Sequence, residues 1–272
     1  MARPDAPPGA APNTSLADTD APDANAPPDA PTHPQAAASM EGSPAPDFES
    51  PLIPTADGSA TLYHPTYEQT YHSHHGAVTE SLHVFVGHSD LAVRLTRGPV
   101  RLLEVGIGTG LNLALSASLA LRTGGELHYE GIEQRPPGPA ALEALAYDRY
   151  DAVDPKLWTT MREAFEARAG GFEIGAKGSA RLHWALFQTL NLGKERVDIV
   201  YHDAFSPEVN PELWADDALG AIIAAMKPGA VLVTYTVQGE VRRRLAAHGL
   251  IVERLPGPPG GKRQVLRATK PA

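Results

Sequence analysis

Three acidic residues stand at or near the ends of apolar runs: Glu104 in VRLLEVG, Glu133 in LHYEGIE and Asp203 in VDIVYHDAF. A carboxylate where a strand gives way to a loop can accept hydrogen bonds from hydroxyls, hold a cation or move a proton. After Glu104 come Gly106, Gly108 and Gly110, whose backbone can approach a ligand closely and adopt positive φ, and then a helix from Leu111 with free N–H groups at its start. Beyond Asp203 the run DAFSPEVNPELW brings Phe205, which could stack on a flat substrate or enclose a reaction site, with Pro207 and Pro211 to stiffen the loop. Each feature also has a plain structural use. Glu104 and Glu133 fit as ordinary strand-end carboxylates, Asp203 as a helix cap and Phe205 as core.

The elements that must position these residues follow from the pattern. Apolar runs (VRLLEVG, LHYEGIE, ARLHWAL, VDIVYHDAF, AVLVTYT) alternate with helical stretches from Leu111, through Ala140 to Ala169, and through Arg244. Strands alternating with helices imply β-α-β units in an α/β fold, a mostly parallel, doubly wound sheet. The closing pair, IVERL and QVLRA around PGPPGGK, reads as an antiparallel hairpin at or near one edge. In such sheets ligands bind at the carboxyl ends of the strands. Glu133, 27 residues after Gly106, stands where an acid accepts from ribose hydroxyls. The order GxGxG departs from the dinucleotide pattern GxGxxG, and Glu104 just before it suits a cofactor with a cationic end. The expectation is therefore S-adenosylmethionine rather than a nicotinamide cofactor.

Composition sets bounds. Residues 1–58 hold 13 of the 26 prolines, few large apolar side chains, and one basic against nine acidic residues. They read as a disordered tail. Residues 59–272 are then the folded domain, close to neutral, with 59–98 as an N-terminal extension. Val241 to Ala272 carries eight Lys and Arg against the single Glu253, which fits either a phosphate-binding face or a solvated helix and tail. No signal segment or membrane span is seen, so a cytoplasmic protein is expected. The absence of cysteine excludes thiolate metal sites and a cysteine nucleophile. Six of the eleven histidines lie between His64 and His88, but without zinc-site spacing, and no metal is expected.

HDAFSPEVNPELW resembles the DAFSP-x-x-NPELW segment of the bacterial tRNA 5-methylaminomethyl-2-thiouridine methyltransferases, the MnmD proteins and the methyltransferase half of MnmC. LLEVGIGTGLNL is similar to their glycine loop, the stretch from Asp57 to Val86 to their N-terminal extension, and Met226 to Ala268 to their C-terminal region. The resemblance implies a Rossmann-like methyltransferase that moves a methyl group from S-adenosylmethionine to the primary amine of 5-aminomethyl-2-thiouridine at the tRNA wobble position. It implies cofactor contacts from Glu104, Gly106, Gly108, Gly110, Asn112, Glu133 and Leu186, and catalytic roles for Asp203 and Phe205. Tyr71, His72, Ser73, Gly76, Glu80, Ser81, Pro207, Lys262 and Arg263 would meet the substrate, with the tRNA anticodon stem-loop as partner. The sequence stops soon after the last strand, so the methyltransferase is expected without an oxidoreductase half.

A simple alkyl amine of pKa near ~10 is about 0.1% free base at neutral pH, a cost of roughly 4 kcal/mol. Asp203 would attract and orient that amine. An ordinary Asp pKa is too low for a base, so orientation is the expected role. Methylation at pyrimidine C5 commonly needs a cysteine adduct, whereas an exocyclic amine does not. Two departures stand out: Ala185 and Leu186 replace the family's Gly-Asp-Ala, which removes the carboxylate on the adenine amino group, and His202 replaces an apolar residue. A non-catalytic tRNA- or cofactor-binding descendant, and a methyltransferase for another amine, remain the alternatives.

Overall fold

A computed structural model describes residues 50–272. The expected tail falls outside that range up to residue 49, but the ordered chain reaches back before residue 59. Leu52–Pro54 (β1) pairs antiparallel with Ala60–His64 (β2), which pairs with Gln69–Thr70 (β3) to make a small three-stranded sheet. The turn between β1 and β2 is held by Asp57, which accepts from the Thr55 hydroxyl, the Ser59 N–H and the Thr79 N–H at 2.8–3.0 Å. Burial raises the Asp57 pKa, but these hydrogen bonds and one from the Ser59 hydroxyl outweigh it and hold the carboxylate below its ordinary range. A Pro-containing stretch with this much local bonding is structured, whatever its composition suggests.

The chain then runs through Ala77–Glu80 (α1), a π-type continuation over Ser81–Gly87, and Leu91–Arg97 (α2) into the main sheet. The strands of that sheet are Val100–Val105 (β4), Leu127–Glu133 (β5), Gly171–Ile174 (β6), Gly178–Trp184 (β7), Val197–His202 (β8), Met226–Thr234 (β9), Ile251–Pro256 (β10) and Gln264–Thr269 (β11). Their order is β10-β11-β9-β8-β4-β5-β7-β6. The five central strands are mutually parallel. The C-terminal hairpin pairs antiparallel as expected, with β10 at the edge and β11 against β9. At the other edge β6 runs antiparallel to β7, a strand that the sequence pattern does not separate from the helical stretch before it.

Side chains of successive strand residues point to opposite faces, and here both faces are apolar. Leu102, Ile199, Val231 and Val233 join one core with Leu111–Thr123 (α3), Pro139–Leu145 (α4) and Pro155–Glu166 (α5). Leu103, Val200 and Leu232 join the other with Asp216–Ala225 (α6) and Gly239–Ala247 (α7). The sheet is thus doubly wound. From β4 the chain moves outward through β5 and β7, then returns to the other side of β4 as β8. The reversal leaves a crevice at the carboxyl ends of β4 and β8, and both Gly106 and Asp203 lie there.

Candidate active site

The loop after β4 turns because its glycines can. Gly106, Gly108 and Gly110 have φ of +88°, +53° and +80°. A Cβ on Gly106 would lie 2.7 Å from the Asp203 carbonyl oxygen, and one on Gly108 would lie 2.8 Å from the Tyr71 ring. The loop therefore packs tightly between the β8 loop and the N-terminal segment, and delivers α3 with its free N–H groups facing the crevice. Glu133, at the end of β5, keeps some exposure. One of its oxygens accepts from Gly108 N–H at 3.0 Å and the other from Arg135 N–H at 2.8 Å. Burial nevertheless raises its pKa. The Gln134 N–H acts on the same carboxylate. Leu186, after β7, is 49% exposed at the same edge, and Ala185 N–H donates to the Glu133 carbonyl.

Glu104 is fully buried, with Oε1 accepting from Asn112 Nδ2 at 2.8 Å and Oε2 from the Tyr129 hydroxyl at 2.5 Å. Burial pushes its carboxyl up to about 8, further raised by Glu133 and opposed by those two donors. Asn112 Nδ2 also donates to Asp203 Oδ2 at 2.8 Å. Asp203 is lifted well above the ordinary carboxylate range by burial first, then by the charges of Glu104 and Glu80, against the Asn112 hydrogen bond. That removes the objection to Asp203 as a base, which assumed an ordinary pKa. The cap alternative does not fit either: Asp203 Oδ2 is bonded to Asn112 and not to a helix N-terminus.

Phe205 stands in an aromatic wall, with ring centroids 4.5 Å from Tyr67, 5.1 Å from Tyr71 and 5.3 Å from His64. Its loop is fixed from three directions. Trp214 Nε1 donates to the Phe205 carbonyl at 2.7 Å, the Tyr235 hydroxyl donates to the Ala204 carbonyl at 2.9 Å, and Gln69 Nε2 donates to Ser206 Oγ at 2.7 Å. Pro207 lies partly exposed on the same loop. Sequence reasoning misses His64, Tyr67, Gln69, Tyr129 and Tyr235. One signal for them exists, since Tyr63, Tyr67 and Tyr71 put three of the eight tyrosines within nine residues.

The expected substrate residues separate into two groups. Tyr71 reaches the glycine loop, Glu80 is close enough for its charge to act on Asp203, and the Lys262 ammonium sits 4.7 Å from the Tyr235 ring centroid. Arg263 is exposed beside it on the hairpin loop. The others serve the N-terminal segment itself. His72 is buried with Nδ1 3.3 Å from Thr61 Oγ1, and burial lowers its pKa to about 4. Ser73 N–H donates to Glu80 at 2.8 Å, Gly76 leaves no room for a Cβ beside Asp57, and Ser81 is fully buried.

Much of the C-terminal basic segment is committed internally. Arg244 donates to the Trp214 carbonyl and Glu240, Arg267 pairs with Asp90 at 2.9 Å, and Lys270 donates to the carbonyls of Ile223 and Met226. His202 is buried edge-on to Trp214, ring centroids 4.2 Å apart, and burial lowers its pKa to about 4, so it acts as an aromatic in the place of an apolar residue. Among the described residues no three His, Asp or Glu come together as a metal site requires, and no helix is long and apolar enough to cross a membrane.

A family model described as S-adenosyl-L-methionine-dependent methyltransferase matches residues 181–271. That match, the sheet order and the glycine loop are together those of a methyltransferase that uses S-adenosylmethionine. More narrowly, the chain is related to the methyltransferase half of the MnmC proteins. The tRNA 5-methylaminomethyl-2-thiouridine biosynthesis bifunctional protein MnmC of Magnetococcus marinus is 32% identical over 228 residues, covering 79% of this chain and 34% of that protein. The MnmC of a Caulobacter species is 32% identical over 244 residues, 82% of this chain and 38% of that protein. The chain thus spans little more than a third of the length of these curated relatives. A crystal structure of MNMC2 from Aquifex aeolicus, 28% identical, superposes with a TM-score of 0.66 over 82% of this chain and 72% of that one.

Proposed function

We propose that the chain methylates the exocyclic primary amine of 5-aminomethyl-2-thiouridine at the wobble position of tRNA, giving 5-methylaminomethyl-2-thiouridine. The observation that carries this reading is Asp203, a carboxylate fixed on one oxygen at the carboxyl end of β8, beside the glycine loop and under an aromatic wall. The donor set fits the cofactor: narrow backbone at Gly106 and Gly108, the partly exposed Glu133 carboxylate at the end of β5 for ribose hydroxyls, and the exposed Leu186 where an adenine ring would lie. When bound, S-adenosylmethionine supplies an electrophilic methyl group, the electrons of the broken C–S bond staying with sulfur.

The residues do the rest. Asp203 attracts the ammonium, takes one proton as an N–H bond breaks and an O–H bond forms, and leaves the nitrogen lone pair aimed at the methyl group. A carboxyl held above the ordinary Asp range by burial and neighbouring carboxyls is better matched to this transfer than an ordinary Asp. Phe205, with Tyr67 and Tyr71, encloses the approach and offers aromatic faces to the base. Lys262 and Arg263 on the hairpin loop meet phosphates of the anticodon stem-loop. The test is nucleoside mass spectrometry of tRNA carrying 5-aminomethyl-2-thiouridine after incubation with the chain and S-adenosylmethionine. One methyl group on the exocyclic nitrogen is expected, and an unchanged nucleoside would overturn the reading.

A further inference from the structure

Resting on that reading, we propose that Asn112 is a positioning residue for the amine reaction: it spends one amide hydrogen on Glu104 and the other on Asp203, holding Asp203 by Oδ2 so that Oδ1 is left for the incoming nitrogen.

The argument is geometric. Asn112 is the second residue of α3 and is buried, with both Nδ2 contacts at 2.8 Å. Its Nδ2 lies within hydrogen-bond distance of a carboxyl oxygen of each acid, so one amide group serves both. Glu104 is in turn fixed by the Tyr129 hydroxyl, so a continuous chain runs from β5 through β4 and α3 to the loop after β8. Asn112 Oδ1 is buried without a donor among the described residues, a destabilising arrangement that nothing in the packing requires. The bridge explains it, since the nitrogen side of the amide can satisfy both carboxylates only if the oxygen side is given up. Both donors are thus used within the chain, so the cofactor contact expected of Asn112 falls to Oδ1 alone.

The chemistry that follows concerns charge. Asp203 is faced by Glu104 from β4, Glu80 from α1, Tyr129 from β5 and Tyr235 beyond β9, while Lys262 from the hairpin loop acts on Glu80. Among the described residues, that inner group holds three carboxyls and no cation. The Asn112 amide is the neutral donor that lets Glu104 and Asp203 sit side by side and keeps Asp203 able to give up its proton again.

Asn112→Ala tests this against the wild-type chain, with melting temperature, calorimetric S-adenosylmethionine affinity and the pH profile of kcat on 5-aminomethyl tRNA all measured. The expected result is kcat lower by roughly 10- to 100-fold, cofactor affinity within about twofold, and the acid limb of kcat displaced to higher pH, because Asp203 has lost the donor that favours its ionised form. Should Asn112→Ala fail to fold, Asn112→Ser, with a single donor, is expected to show the same changes in smaller measure. Loss of cofactor affinity with kcat and its acid limb unchanged would make Asn112 a cofactor ligand and overturn the proposal. An inactive wild-type chain would instead overturn the amine reading on which it rests.

Discussion

Around Gly106, Gly108 and Glu133 the crevice is made largely of backbone, with three positive-φ glycines, the start of α3, and one carboxylate pinned by two N–H groups. Around Asp203 and Phe205 it is made of side chains drawn from distant segments: Tyr67, Gln69 and Tyr71 from the N-terminal sheet, Asn112 from α3, Tyr235 from beyond β9 and Lys262 from the hairpin loop. The first side needs a local conformation, which one short stretch can specify. The second needs long-range packing, and its charge states are set by burial and neighbours rather than by residue type.

The two sides should respond differently to substitution, and the largest response is expected at the side-chain wall. Asp203→Asn keeps the size and the Asn112 contact region but cannot take a proton. Turnover should fall by roughly 10²-fold or more while S-adenosylmethionine affinity changes little. Glu133→Ala should do the opposite, weakening cofactor binding by about 1 to 3 kcal/mol, or roughly 10- to 100-fold by calorimetry, with methyl transfer at saturating cofactor largely kept. If either variant changed both quantities equally, the division of the crevice would fail.

Glu104 lies beneath both sides and gives a stability signature. Its folded pKa is raised from an ordinary 4.5 to about 8, so the folded chain holds a proton that the unfolded chain releases between these values. Stability from this group is full below the lower value and lost as pH rises through the upper one. Glu104→Gln cannot ionise and should melt a few degrees above wild type at about pH 9, the gap closing below the ordinary carboxylate pKa. A gap independent of pH would show that the substitution acts by packing alone.

The smallest effects belong to the rim. Removing Lys262 and Arg263 together should lower the salt slope of tRNA binding by about one for each phosphate left without its cation, with cofactor affinity unchanged. Arg244→Ala should leave that slope alone and lower the melting temperature, since its guanidinium is spent on the Trp214 carbonyl and Glu240. A slope that changed only for Arg244 would invert the assignment.

What the sequence discloses follows the same division. Glu104, the glycines, Glu133, Asp203 and the closing hairpin are legible because each rests on a local pattern: a strand end, a turn, a short loop between two apolar runs. The strand β6 is not, because GFEI is short and follows directly on the α5 pattern, so its pairing with β7 leaves no periodicity of its own. Tyr67 and Gln69 are visible as polar and aromatic residues, but their contacts with Phe205 and Ser206, 137 residues away for Gln69, arise only from the docking of two sheets. The family resemblance implies a substrate role for His72, and Arg244 belongs to the basic segment that fits either a phosphate-binding face or a solvated helix. The contacts they make, His72 with Thr61 and Arg244 with the Trp214 carbonyl, are long-range and leave no mark on the local sequence. The Asp203 pKa is beyond sequence reasoning altogether, since it depends on Glu104 and Glu80 lying alongside.

The central claim is that Asp203 holds the amine and takes its proton, and the pH dependence of methyl transfer in a single turnover tests it most directly. Wild type and Asp203→Asn would be compared on 5-aminomethyl tRNA with saturating S-adenosylmethionine, the methylated nucleoside being counted by mass spectrometry. The account predicts that wild type loses activity as pH falls through a carboxyl pKa well above the ordinary range, and that the mutant is roughly 10²-fold slower with a rate that follows only the ionisation of the free amine. A mutant that matches the wild-type rate and the wild-type curve across neutral pH would contradict it.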